Sequence, residues 1–174
     1  MSKQEKSDRL KLGFLAAVEV EGRGHVGGLL VTNHNGRPLE FQCTTPVKPD
    51  RTQEILYGKS LRPWLLGELI GKTLLARSSI KPDVVFTTDA DILELRNHTN
   101  TPVACTSTDK VVRSSEEMNQ RLGGRILTFH DSHQQDIDFV ADKLDQLPGQ
   151  ADLEEPLERV NEALSETVKT VMAR

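Results

Sequence analysis

The sequence predicts an α/β domain. A mixed five- to six-stranded sheet opens with an antiparallel meander, continues through a βαβ unit and closes with a C-terminal amphipathic helix. Three observations predict it. Apolar residues alternate with period two in consecutive runs near the start. Two short apolar runs, "PDVVFTTD" and "TPVACTS", flank about ten helical residues, the pattern of a parallel pair with a helical crossover. From Leu157 onward, apolar positions recur at heptad spacing.

The elements follow in order. Residues 1–9 read as a disordered tail. Leu10, Leu12, Phe14, Ala16, Val18 and Val20 mark the first strand, with Glu19 and Glu21 on its other face near the end. "EGRG" turns into "HVGGLLVTN", where Gly27 and Gly28 weaken the second strand or allow a bulge. Asn35-Gly36 signals a type I′ hairpin turn, which needs positive φ at both central residues. "PLEFQCTTP" is the third strand, ended by Pro46 and Pro49, which cannot continue a ladder. A short helix is expected from Asp50 to Gly58. A nearly all-buried one follows in "SLRPWLLGELIGKTLLARS", with Ser60 as cap and Pro63 in the first turn. Gly67 and Gly71, one turn apart, should admit a close neighbour.

After the βαβ unit, "SSEEMNQRLGG" reads as a capped helix, Ser114 and Glu117 at capping-box spacing and Gly123 or Gly124 at its end. "RILTF" is a sixth, edge strand. "DSHQQDIDFVADKLDQLPG" is an amphipathic helix that closes the α/β domain at residues 10–147. Residues 150–174 form the last helix, with Asp152 and Glu155 at capping-box spacing. Its seam of Leu157, Val160, Leu164, Thr167 and Val171 docks on the domain or pairs in a homodimer.

Composition narrows the function. The chain has 174 residues, 36% apolar, 4% aromatic and 28% charged, with net charge −4. That charge disfavours nucleic acid as a partner. The charge is uneven: Lys48 to Lys81 carries seven bases against three acids, and Asp131 to Arg174 eleven acids against four bases. "MSKQEKSDRLKLG" lacks the apolar core of a leader, and no apolar run reaches membrane-spanning length, so a cytoplasmic protein is expected. Cys43 and Cys105 fit a reducing compartment. Walker A, G-x-G-x-x-G, G-x-S-x-G and the zinc-deaminase signature are all absent from the sequence.

Candidate sites cluster at strand ends. Ligands of open α/β sheets bind beyond the carboxyl ends of parallel strands. Thr87, Thr88 and Asp89 end the fourth strand; Thr106, Ser107 and Asp109 end the fifth. Together they form the expected ligand-binding crevice, although Thr88 and Asp89 also suit a helix cap. His130, His133 and Asp136, spaced three apart, are secondary metal candidates; the leading reading holds no metal or cofactor.

The order β-β-β-α-β-α-β, meander first, resembles the ribonuclease H-like fold over Leu10 to Ser107. That resemblance implies carboxylates on the first and fourth strands holding Mg²⁺ for phosphodiester attack, here Glu19 or Glu21 with Asp89 or Asp91. Nucleases of that superfamily usually place an Asp on the first strand, where this chain offers Glu. With no complete catalytic set in the sequence, the leading expectation is a cytosolic binding or regulatory module, homo-oligomeric, for a partner protein or small ligand. The alternative is a metal-dependent phosphodiesterase or nuclease.

Overall fold

The structure, a computed structural model, describes residues 9–107, 119–122, 125–147 and 151–172. A seven-stranded mixed sheet runs in the order β3-β2-β1-β4-β5-β7-β6. Its strands are β1 (Leu12–Val20), β2 (Gly24–Thr32), β3 (Pro38–Cys43), β4 (Val84–Thr87), β5 (Val103–Ser107), β6 (Asn119–Leu122) and β7 (Arg125–Phe129). β1, β4 and β5 are mutually parallel, and every other pairing is antiparallel. From β1 to β5 this is the chain order that carried the ribonuclease H-like resemblance.

Both faces of the sheet are covered, so β1 is buried on both sides. Phe14, Ala16, Leu30, Phe86, Ala104 and Phe129 form one layer of core with the C-terminal helix. Leu15, Leu29, Val31, Val85, Val103 and Cys105 form the other, against the helices that follow β3 and β4. α1 (Arg51–Tyr57), which follows β3, buries no residue; the packed helices are α2 (Pro63–Gly71, wound as a π-helix), α3 (Lys72–Arg77) and a 3₁₀ helix (Ala90–His98) between β4 and β5. α1 begins as expected, with Asp50 and Gln53 closing a capping box. Ser60 does not cap α2; its hydroxyl donates to the Tyr57 carbonyl.

Several details depart from expectation. Gly27 and Gly28 make no bulge; they pair in register with Ala17 and Ala16. They leave room: a Cβ on Gly27 would meet Ile70 Cγ2 at 2.2 Å, and one on Gly28 would meet Leu164 Cδ2 at 2.9 Å. The β2–β3 turn is not type I′, because no residue other than glycine has positive φ. Gly36 takes φ of +80° and donates to the Asn33 carbonyl, while the Asn33 side chain accepts from Asn35 N and Arg37 N. The helix expected from Ser114 is contradicted at its C-terminal end. Asn119–Leu122 is β6, because β7 offers a free edge whose pairing overrides local helix propensity. The Ser114–Glu117 cap and Gly123–Gly124 lie outside the described residues.

α4 (Asp136–Leu144) starts later than the sequence suggested and has no side-chain cap. Asp136, 4% exposed, instead receives Arg96 Nε at 2.7 Å, tying α4 to the 3₁₀ helix. α5 (Glu155–Met172) is capped by Asp152, which accepts from Glu154 N and Glu155 N. Leu157, Val160 and Leu164 of its seam are buried in the core of the same chain.

The loop between α3 and β4 is fastened to β3 by Glu40. Its carboxylate accepts from Ser79 N, Ile80 N and the Ser78 hydroxyl. With the Gln42 amide the foremost cause, these donors lower its pKa from 4.5 to about 2. A depressed carboxylate stabilises the fold above its unfolded pKa and loses that contribution as pH falls through the folded value. Thermal melts from pH 4.5 to 2 should therefore fall less steeply for Glu40→Gln than for the parent. Parallel curves would dismiss this fastening.

Candidate functional site at the carboxyl edge of β1 and β4

The topology brings the carboxyl ends of β1 and β4 to one edge of the sheet. The β1–β2 register sets Glu19 directly opposite His25. His25 is held by two 2.8 Å backbone bonds to Val47, an isolated bridge beyond β3. Arg62, just ahead of Pro63, reaches across to the end of β4. Its Nη2 donates to Asp89 Oδ2 at 2.9 Å and its Nε to Asp91 Oδ2 at 2.8 Å. Asp89 also caps the 3₁₀ helix, its Oδ1 accepting from Asp91 N, while Thr87 Oγ1 accepts from Asp89 N. The result is one guanidinium clasped by two carboxylates at a half-exposed rim.

Electrostatics tie the cluster together. Burial lowers the His25 pKa, and Arg62 adds to the effect, while Glu19 and Asp89 pull the other way. His25 Nδ1 is enclosed and has no hydrogen-bond partner among the described residues. The hydrogen bond from Arg62 to Asp91 is the main reason Arg62 holds its proton more firmly than usual. Burial, helped by the charge on Asp89, pushes the Cys105 thiol up to about 12, so it is no nucleophile.

The predicted residues divide as follows. Asp89 and Asp91 meet through Arg62; Glu19 stands opposite His25, whose imidazole feels the charges of Arg62, Glu19 and Asp89. Glu21 lies past β1 in an exposed turn. Thr87 is fully buried and Thr88 exposed. Thr87 pairs with Cys105 in register, so Thr106 points to the opposite face of the sheet. There Thr106 is 2% exposed and its hydroxyl has no partner among the described residues. Ser107 ends β5 opposite Ile126 at the same edge as Asp89. Asp109 lies outside the described residues. His130 and His133 both bond Asn97, at 3.1 and 2.8 Å, away from this edge. Asp136 is committed to Arg96, and among the described residues no group of three His, Cys, Asp or Glu is arranged to hold a metal. Sequence reasoning missed His25 and could not place Arg62. The "EGRG" turn was the available signal for His25, because it fixes the register that sets it against Glu19.

No family of known sequences and no curated protein matches the chain by sequence. A solved structure does match in shape: endonuclease V of Ciona intestinalis, in complex with a 23mer DNA containing an inosine followed by a ribo-adenosine. The chain is similar to it in fold. The TM-score is 0.51 at 10% identity, over 97% of this chain and 95% of that one. This likeness stands against two expectations, the partner-protein or small-ligand module and the setting aside of nucleic acid as a partner. The physical reason is that net charge averages over the whole surface. It hides the local excess of four bases between Lys48 and Lys81. No helix among the described residues is long and apolar enough to cross a membrane.

Proposed function

We propose that this chain is a nucleic-acid phosphodiesterase of the nuclease class, acting at the edge built by Glu19, His25, Arg62, Asp89 and Asp91. One observation carries the reading: Asp89 and Asp91, just after β4, already converge on a single cation, the Arg62 guanidinium. The DNA-bound endonuclease of like fold supports nucleic acid as the substrate class.

The donor set is compatible with Mg²⁺. Mg²⁺ is commonly held by one or two carboxylates, completed by water and substrate phosphate, so no three-residue protein cage is required. Three carboxylates against one guanidinium, with His25 neutral, leave an excess of two negative charges that attracts a divalent cation and repels a bare phosphate. Asp89 and Asp91 would hold the ion in competition with Arg62. When bound, the ion supplies charge neutralisation and an activated water. The chain's own residues supply the rest. The lowered pKa of His25 gives a neutral imidazole near pH 7, a proton acceptor rather than a charge. Arg62, released from the carboxylates, offers paired N–H donors to a phosphate.

Competition makes a testable prediction. Arg62→Gln should bind Mn²⁺ several-fold more tightly than the parent in an EPR titration. Stability should barely change, because half-exposed ion pairs contribute about 0–1 kcal/mol. Equal Mn²⁺ affinity would show that Arg62 does not occupy the cation position. The activity itself is tested with labelled single- and double-stranded DNA, RNA and inosine-containing DNA, in Mg²⁺ and in EDTA. Cleavage in Mg²⁺ that EDTA abolishes is expected; intact oligonucleotides throughout would overturn the proposal.

A further inference from the structure

A cavity of about 230 Å³ lies on the α5 face of the sheet, between the last turns of α5 and the ends of β1 to β3. It is across the sheet from the carboxylate edge, because Val20 lines it while the adjacent Glu19 faces the other way. Val20, Val26, Cys43 and Val168 make its walls apolar. Arg23 and Arg77 flank it, and no Asp or Glu lines it. Both arginines are exposed, and neither makes an ion pair among the described residues. In a chain of net charge −4 this is a local reversal of sign.

We propose that this cavity binds a small amphipathic monoanion, an apolar chain or single ring carrying a carboxylate. The walls take the apolar part, and Arg23 and Arg77 hold the head. Size sets the limit. Ligand pockets for drug-sized molecules run from about 300 to 1,000 Å³. At about 30 Å³ per water-sized group, this one has room for roughly eight such groups. Charge sets the head group, since a planar guanidinium pairs two N–H donors with a carboxylate. A cation or a neutral polar ligand would meet two like charges or leave them unused. The site is independent of the phosphodiesterase reading.

Cys43 is a built-in reporter. It lines the cavity and is half-buried, whereas Cys105, the other thiol, is 1% exposed with its pKa pushed up to about 12. Labelling of the folded protein by iodoacetamide, with the site confirmed by peptide mass, therefore reads Cys43. Saturating octanoate should slow labelling roughly tenfold, as expected for a ligand that covers most of its pocket. Octanol at equal concentration should protect far less. Arg23→Ala and Arg77→Ala, at exposed positions that leave the melting temperature unchanged, should each weaken octanoate by roughly tenfold or more. Calorimetric titration of octanoate into parent and double variant gives the same comparison without the thiol. Absent protection, or protection that is equal with octanol and unaffected by loss of both arginines, overturns the proposal.

Discussion

Gly67→Leu should lower the melting temperature by roughly 2–12 °C, from an overpacking cost of about 1–3 kcal/mol and about 2–4 °C per kcal/mol at this size. Gly67 is where α2 crosses the 3₁₀ helix. A Cβ there would lie 2.9 Å from Leu95 N, 2.9 Å from Glu94 Cβ and 3.2 Å from the Asp91 carbonyl oxygen. Two of those neighbours are backbone, so no rotamer change relieves the contact. The helices must separate, and Leu65, Leu66 and Ile70 lose packing with them. The same displacement moves the segment carrying Asp89 and Asp91 away from Arg62, so activity should fall beyond the loss of stability. Gly71 meets mostly side chains at 3.1 Å or more, so Gly71→Ala is the milder change. Lys72→Ala, on the exposed side, should be nearly silent. A Gly67→Leu melting temperature within a degree of the parent would refute the close crossing.

Removal of residues 148–174 should abolish cooperative folding. Leu153, Leu157, Val160 and Leu164 are each 2% exposed or less. Four such side chains at about 1.5–3 kcal/mol apiece amount to roughly 6–12 kcal/mol, the scale of a domain's whole stability of about 5–15 kcal/mol. The cut also uncovers Phe14, Leu30 and Gly28, leaving one face of β1 and β2 bare. The expected products are aggregation, dye binding to exposed apolar surface and loss of the sharp melt. A truncated chain that melts like the parent, at unchanged hydrodynamic size, would show that α5 does not complete the core.

Much of the fold was legible because local and global signals agree. The meander follows from period-two runs between Gly-containing turns, and α1 from its start near Asp50 and its stop at Gly58. β6 was not legible: "NQRL" has no strand pattern of its own and pairs because β7 offers an open edge. The glycines of β2 misled for a related reason. A missing side chain reads as weakness in one strand, and only the packed layers show Ile70 and Leu164 filling the space. At the site, Asp89 and Asp91 were legible from their place after an apolar run. Arg62 was not, because its partners lie 27 and 29 residues away and no spacing rule links a helix start to the end of the next strand. Of the expected hydroxyl crevice, the faces were not legible without register: Thr87 beside Cys105 puts Thr106 on the other face.

The proposed phosphodiester cleavage is assigned to the point where Asp89 and Asp91 converge. It is tested by the single-turnover cleavage rate in Mg²⁺ of the parent against the Asp89→Asn, Asp91→Asn double variant, both shown to be folded by their melting curves. A fall of roughly a hundredfold or more is predicted, the scale of losing a preorganised electrostatic group. A folded double variant that cleaves at the parental rate would place the chemistry elsewhere.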